Sequence, residues 1–422
     1  MVKFKSLTPQ LVFSDLRKAG KARIRPLASA AALLWLGLTI VPTAKADSFT
    51  NTGAMTAQRW QHTATLLPNG KVLVAGGPLV PGTAEMYDPA TGTWMTTGSP
   101  DARFAHTATL LPNGKVLVAG GFAGVALSSA QLYDPATGTW TAAGSLNAAR
   151  YDHTATLLPD GKVVVAGGNY NNTGGTLSSV EVYDPATGIW TTVSALTTVR
   201  HSHTATLLPT GKVLVAGGRD NNAGNNIYVS SGELYDPATG TWTTTSALST
   251  GRAYHTATLL PDGRVLVAGG GNASIKFSSA EVFDPATGTW TPTGALGTAR
   301  SVHEAALLPN GKVLVAGGTA NGSSYFSSAE VFDPASGTWT ATGALNFARG
   351  FYTATVLSNG KVLVAGGYNG YALSSAEVVR HFRLTPHRGP TTEPGWILGE
   401  VSFTLGQCHG RNSALQLSMG EE

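Results

Sequence analysis

The sequence predicts an all-β protein, a seven-bladed β-propeller closed by its own N-terminal strand. Three observations lead there. The phrase HTATLLPNGKVLVAGG begins at His62 and returns, nearly unchanged, at His106, His153, His203, His255 and His303, with a seventh copy at Tyr352. The spacings are 44, 47, 50, 52, 48 and 49 residues, the signature of a repeat architecture. Only 12% of the 422 residues are charged while 52 are glycine, which suits short strands joined by tight turns.

The N-terminus reads as an export signal. Lys3, Lys5, Arg17, Lys18, Lys21, Arg23 and Arg25 precede an apolar run, Leu27–Val41, which Pro42 ends. Ala44-Lys45-Ala46 then offers the small-x-small pattern of a cleavage site, so residues 1–46 are expected to be removed. The run is 15 residues, shorter than the ~20 a spanning helix needs. A secreted, periplasmic or cell-surface protein with no membrane span after cleavage is the expectation. Removing this segment takes away eight of 28 basic and one of 24 acidic residues, and the net charge falls from +4 to −3. A mildly acidic chain carries no electrostatic footprint for nucleic acid. The lone cysteine, Cys408, has no partner for an internal disulfide.

Each repeat, within residues 47–380, resolves into four strands, A to D. Strand A is the alternating HTATLL segment, and Pro-Asn-Gly or Pro-Asp-Gly makes a tight turn into strand B, KVLVAGG. Strand C is SSAEVYDP or a close variant, and Asp-Pro-Ala-Thr-Gly turns into strand D. Strand D carries Trp94, Trp140, Trp190, Trp242, Trp290 and Trp339. A four-stranded unit cannot bury both faces alone, so the units must stack. Each Trp is expected to fill the space between blades, with Trp→Ala costing about 3–5 kcal/mol. The paired glycines, from Gly76–Gly77 to Gly366–Gly367, are expected where neighbouring backbones approach closely.

A glycine pair after a hydrophobic strand, then Tyr or Phe, then Trp seven residues on, resembles the kelch signature in seven in-phase copies. The resemblance implies one repeat per blade, and a ring like the central propeller of galactose oxidase without its copper site. That oxidase chemistry needs a Tyr–Cys crosslink, and Cys408 lies outside the repeats. No cofactor and no metal are called for.

Blade 7 stops after Ser374-Ser375-Ala376-Glu377-Val378. Phe49 precedes Arg59 by ten residues, as Trp290 precedes Arg300, so residues 48–54 are expected to supply its strand D. Residues 381–422 share nothing with the repeats. They are either an accessory tail or the product of a shifted reading frame, and are expected to pack poorly.

Sameness between repeats marks what the fold needs, and difference marks where function can sit. The A–B and C–D turns are nearly invariant. The B–C loops differ, and with the D–A loops they form the candidate binding face, the work of a monomer that recognises a protein or glycan. Its candidate residues are Arg103, Tyr170, His201, Arg219, Tyr228, Phe277, Tyr325, Tyr368 and Tyr371. The B–C loop of blade 3 also offers Asn169, Asn171 and Asn172.

An arginine precedes every strand A, at Arg59, Arg103, Arg150, Arg200, Arg252, Arg300 and Arg349. Some kelch propellers bind acidic peptides with arginines so placed, which implies an anion-tolerant mouth. Glu85, Glu181, Glu233, Glu281, Glu330 and Glu377 lie near the same face, so structural Arg–Glu pairs are the favoured reading. Blade 2 has Gln131 instead, which makes Arg103 the expected free arginine. The repeated histidines stand roughly 10 Å or more apart in such a ring, too far to share Zn–N bonds of ~2.0–2.1 Å. Asp220, Asn221 and Asn222 lack the ligand order of a calcium loop. No Ser elbow or phosphate cradle is present. Besides recognition, two readings stay open: a carbohydrate-active enzyme (sugar epimerase, mutarotase or oxidase-like), favoured by a deep channel pocket holding a carboxylate or His of shifted pKa, and a structural surface protein.

Overall fold

The computed structural model describes residues 48–78, 82–171, 175–224 and 226–379. The expected signal segment 1–46, the segment 381–422 with Cys408, and Asn172 lie outside them.

Seven antiparallel four-stranded sheets form the blades. In blade 1, strands A to D are Thr63–Leu66, Val72–Ala75, Ala84–Asp88 and Thr93–Thr97. The other blades repeat this order, and each strand A packs against the A strands of two neighbours, which closes a ring. The closure is the expected one. Phe49–Asn51 pairs antiparallel with Ala376–Val379, Phe49 opposite Val379 and Asn51 opposite Glu377. One N-terminal and three C-terminal strands therefore share blade 7.

The alternation of side chains along a strand splits each blade between two cores. Val72 and Val74 of blade 1 pack with Leu363, Ala365 and Ala376 of blade 7. Leu73 and Ala75 of the same strand pack with Val116, Val118 and Tyr133 of blade 2. A single blade has no core of its own, which is the physical reason the sequence repeats.

At the outer edge, each of six strand-D tryptophans lies against the Tyr or Phe of strand C, with centroids 4.9–5.1 Å apart. The Trp94 indole N–H reaches the Gly53 carbonyl of the preceding blade at 2.7 Å. Only Trp190 is fully buried, at 7% exposure; the other five keep an edge in solvent. The cost of Trp→Ala at those five is therefore below the expected range.

The glycine pairs sit where neighbouring backbones meet. A Cβ on Gly120, at φ 63°, would lie 2.5 Å from the Arg150 carbonyl oxygen and 2.7 Å from His153 Cε1 of blade 3. The contact is with backbone, which cannot swing away. Gly120→Ala is expected to destabilise the ring by about 2–4 kcal/mol, read from the urea midpoint.

Candidate functional site

The two residues between each invariant Arg and the following ring residue form the mouth of the central channel. The second of them is Gln61, Ala105, Asp152, Ser202, Tyr254, Val302 or Phe351, going round the ring. All seven have φ between 48° and 57°, and they are the only non-glycine residues at positive φ among the described residues. Such a conformation costs a side-chain-bearing residue about 1–3 kcal/mol, and Val302, being β-branched, suffers most. The strain is held by a closed circuit of backbone hydrogen bonds. Each N–H donates to the carbonyl of the equivalent residue in the preceding blade, from Ala105 to Gln61 at 3.0 Å round to Gln61 donating to Phe351 at 3.0 Å. One backbone conformation thus presents seven different side chains to one opening.

Beneath this belt lies a second ring. The His106 Nε2 meets the Thr63 hydroxyl of the preceding blade at 3.0 Å, and five other His–Thr pairs repeat this at 2.9–3.2 Å. Each histidine, one residue before its strand A, thus joins its blade to the preceding one and, among the described residues, is not a metal ligand in a shared cluster. Burial beside the arginines keeps the six rings neutral, with His106, His255 and His303 pushed down to about 3. The seventh joint differs. Glu304 stands where the other six blades have Thr in the same phrase, and Tyr352 stands where the next His would be. The Tyr352 hydroxyl donates at 2.6 Å to the carbonyl of Ala316, the residue paired opposite Glu304, and not to the Glu304 carboxyl.

The resulting cavity, about 290 Å³, is lined by the belt residues, the histidines, Glu304 and Tyr352. It holds two carboxyl groups, Asp152 and Glu304, and neither accepts a hydrogen bond from another described residue. Each is half-buried on the cavity wall. Desolvation raises Asp152 to about 6 and Glu304 to about 8.

No arginine of the repeat reaches this cavity. All seven are at most 2% exposed. Arg200 bonds the Gly217 and Ser231 carbonyls and pairs with Glu233 at 2.6 Å. Glu233 also accepts the backbone N–H groups of Thr197 and Thr198. Each such Glu therefore ties an arginine to a D–A loop. Arg103 is the expectation that fails. It is buried, not free, held by the Gly120 and Ser129 carbonyls at 2.9 Å and the Ser129 hydroxyl at 3.0 Å. Gln131 Oε1 is 3.4 Å from it, and its one ionic partner is Asp101, itself 65% exposed. Gln131→Glu supplies the buried carboxylate the other blades have. It should raise stability by about 1–3 kcal/mol, seen as a higher melting temperature.

The other candidates divide. His201 is buried, at 2% exposure, so it is no surface contact; its Nε2 accepts from the Asn221 amide at 2.9 Å and fixes the blade 4 loop. Phe277 is 9% exposed because the Arg252 guanidinium covers its ring, 5.1 Å from the centroid. Arg219 lies over Tyr228 and bonds Asn226. Tyr170 and Tyr371 are exposed at loop tips. Tyr325 and Tyr368 meet edge-on at 5.7 Å.

The sequence reading missed the company Tyr368 keeps. Trp60 lies 5.4 Å from Tyr368, 5.6 Å from Phe351 and 6.4 Å from Phe104. Phe104 meets Phe122, and Phe122 meets Tyr151. A continuous aromatic arc therefore crosses blades 6, 7, 1, 2 and 3 at the mouth. The signal was present as the variable pair between Arg and His, but it was overshadowed by the longer B–C loops. The loops of blades 3 and 4 are joined, through Asn222 donating to and accepting from the Thr176 backbone at 3.0 and 2.8 Å.

Seven near-identical blades close one propeller and set different side chains round its channel mouth. The chain belongs to the kelch-repeat family: the family model described as "KLHDC2/KLHL20/DRC7 Kelch-repeats domain" matches residues 152–367, and one described as "Kelch motif" matches residues 103–147. No curated protein matches the chain in sequence. Among solved structures, a fungal alcohol oxidase of the AA5 family, in complex with copper, matches with a TM-score of 0.63 at 18% identity. The match covers 80% of this chain and 76% of that one. At that identity the likeness shows the fold alone. The residues here do not fit a copper centre. Among the described residues no three His, Cys, Asp or Glu side chains come together, and the ring histidines spend Nε2 on threonine.

Proposed function

We propose that the protein is an exported recognition module that binds a protein or glycan across its B–C/D–A face, with the channel mouth at the centre of the contact. One observation carries this reading. Seven residues share a strained backbone conformation and a closed hydrogen-bond circuit, yet no two share a side chain. A purely structural ring would have no use for that variety on so constrained a frame. Kelch propellers generally bind proteins, which agrees. The aromatic arc offers flat surface for apolar side chains or sugar faces. Five B–C loops add exposed apolar tips: Val125, Tyr170, Ile227, Ile275 and Tyr371.

The test is a combined peptide and glycan array. A control chain carries the short blade 2 loop, Phe122–Leu127, in place of the blade 3 and blade 4 loops, and a second control carries Trp60→Ala with Phe104→Ala. A hit lost in either control supports the reading. Hits that survive both place binding elsewhere and contradict it.

A carbohydrate-active enzyme is the second reading. The cavity holds two carboxyl groups of raised and unequal pKa, the arrangement acid–base chemistry uses. Turnover of a sugar by the purified chain, lost in Glu304→Gln, would favour it.

A further inference from the structure

The charge of the mouth is the reverse of what the seven arginines suggest from sequence. Every one of them is buried below the belt and bonded to carbonyls; six also meet a buried glutamate and Arg103 meets Asp101. The histidines lining the cavity are neutral. Besides the histidines, the cavity lining carries the two carboxyl groups, the polar Gln61 and Ser202, and the rings of Tyr254, Phe351 and Tyr352, with Trp60 packed on Phe351; Arg219, stacked over Tyr228, is a cation near it. Aromatic faces and carboxylates share one kind of guest, a cation.

Glu304 is the sharper of the two signs. At five joints, a Thr hydroxyl of this phrase meets the next histidine, and Thr353 does the same with His62 across the closure. At the seventh, Glu replaces Thr and Tyr352 turns to a carbonyl, so the carboxyl is left facing the cavity without a partner. A half-buried carboxyl without a donor is destabilising, and the scaffold has a working alternative in the same position of its own repeats.

We propose that the mouth receives a basic side chain, an ammonium or guanidinium carried on a partner protein's extended segment, which enters the cavity lined by Asp152 and Glu304 against the Trp60–Phe351 wall. The apolar loop tips around the opening fit hydrophobic residues flanking that side chain, which favours a protein over a glycan. This rests on the reading that the mouth face is the ligand site. Desolvation raises the Glu304 carboxyl to about 8, so pairing of its carboxylate with the cation should release a proton to buffer near neutral pH.

The experiment selects binders from a phage-displayed library of random linear peptides on the intact chain. Selected peptides are then titrated calorimetrically in two buffers of different ionisation enthalpy. The variants are Asp152→Ser and Glu304→Thr, residues that other blades already carry at the same ring positions (Ser202 and Thr256), so the fold is kept and a thermal melt verifies it. The expected result is enrichment in Lys or Arg with apolar neighbours and release of about one proton per complex, with affinity falling roughly tenfold or more in each variant and proton release vanishing in Glu304→Thr. Peptides that bind at the mouth but are acidic or uncharged, or that bind both variants unchanged, overturn the inference while leaving the recognition site standing. Binders that survive Trp60→Ala with Phe104→Ala overturn both. A ligand found only among glycans overturns the inference and leaves the face as the site.

Discussion

Acidification from about pH 7 to about pH 5 unfolds the purified protein steeply, and the protons taken up go to the six ring histidines. Their unfolded pKa is about 6.5. In the folded ring all six are lowered, chiefly by desolvation and then by the neighbouring arginines, with His106, His255 and His303 at about 3. A lowered pKa means that the unfolded chain binds the proton first. The stability of each neutral histidine is complete above about pH 6.5 and is lost as pH falls toward the folded value. Each contributes a slope approaching about 1.4 kcal/mol per pH unit, so six together approach about 8. Asp152 and Glu304 act with the opposite sign. Their raised pKa values mean that the folded state holds protons the unfolded chain has released, so their contribution is lost as pH rises through about 6 and about 8. Two such groups soften the acid slope without reversing it. Urea melts across this range measure the slope directly. Replacing His255 by Tyr, the residue type blade 7 carries there, should remove about one proton from the uptake. A flat stability between about pH 7 and pH 5 would contradict the neutral-histidine ring.

Deleting residues 48–54 should be the most damaging short deletion in the ring. The segment contributes Phe49, 6% exposed, and Met55 lies just beyond it at 3%. Its strand covers the edge of Ala376–Val379, and its Asn51 side chain accepts from Asn346 at 2.8 Å. Phe→Ala in a core costs about 3–5 kcal/mol, so Phe49→Ala alone should lower the denaturant midpoint measurably. Full deletion adds an unpaired strand edge, a template for association. The expected outcome is loss of more than about 5 kcal/mol together with oligomers in size-exclusion chromatography. A monomer of undiminished stability would mean that the ring closes another way.

The architecture was legible because the repeats report it redundantly. The period, the Gly pairs and the Phe49-to-Arg59 spacing each pointed to the same ring, and the covarying presence of Arg and Glu in six blades foretold their pairing. The mouth was harder to read. Gln61, Asp152 and Tyr254 are about ninety to two hundred residues apart, and each looks like drift in its own repeat. Only the closure of the ring brings them round one opening. The errors had a common cause. Phe277 and His201 sit in loops and read as exposed, but a guanidinium covers one ring and Asn221 anchors the other. Arg103 read as free because its acid partner was missing, whereas carbonyls alone suffice to hold it buried.

A uniform scaffold that displays its specificity at one mouth should be protected by ligand at that mouth alone. Hydrogen–deuterium exchange of the chain, with and without a ligand taken from the array or library, tests it most directly. Added protection is expected at the segments around Trp60, Phe104, Asp152, Tyr254 and Tyr368, with the A–B and C–D turns unchanged. Protection confined to those turns would place the ligand on the opposite face and contradict it.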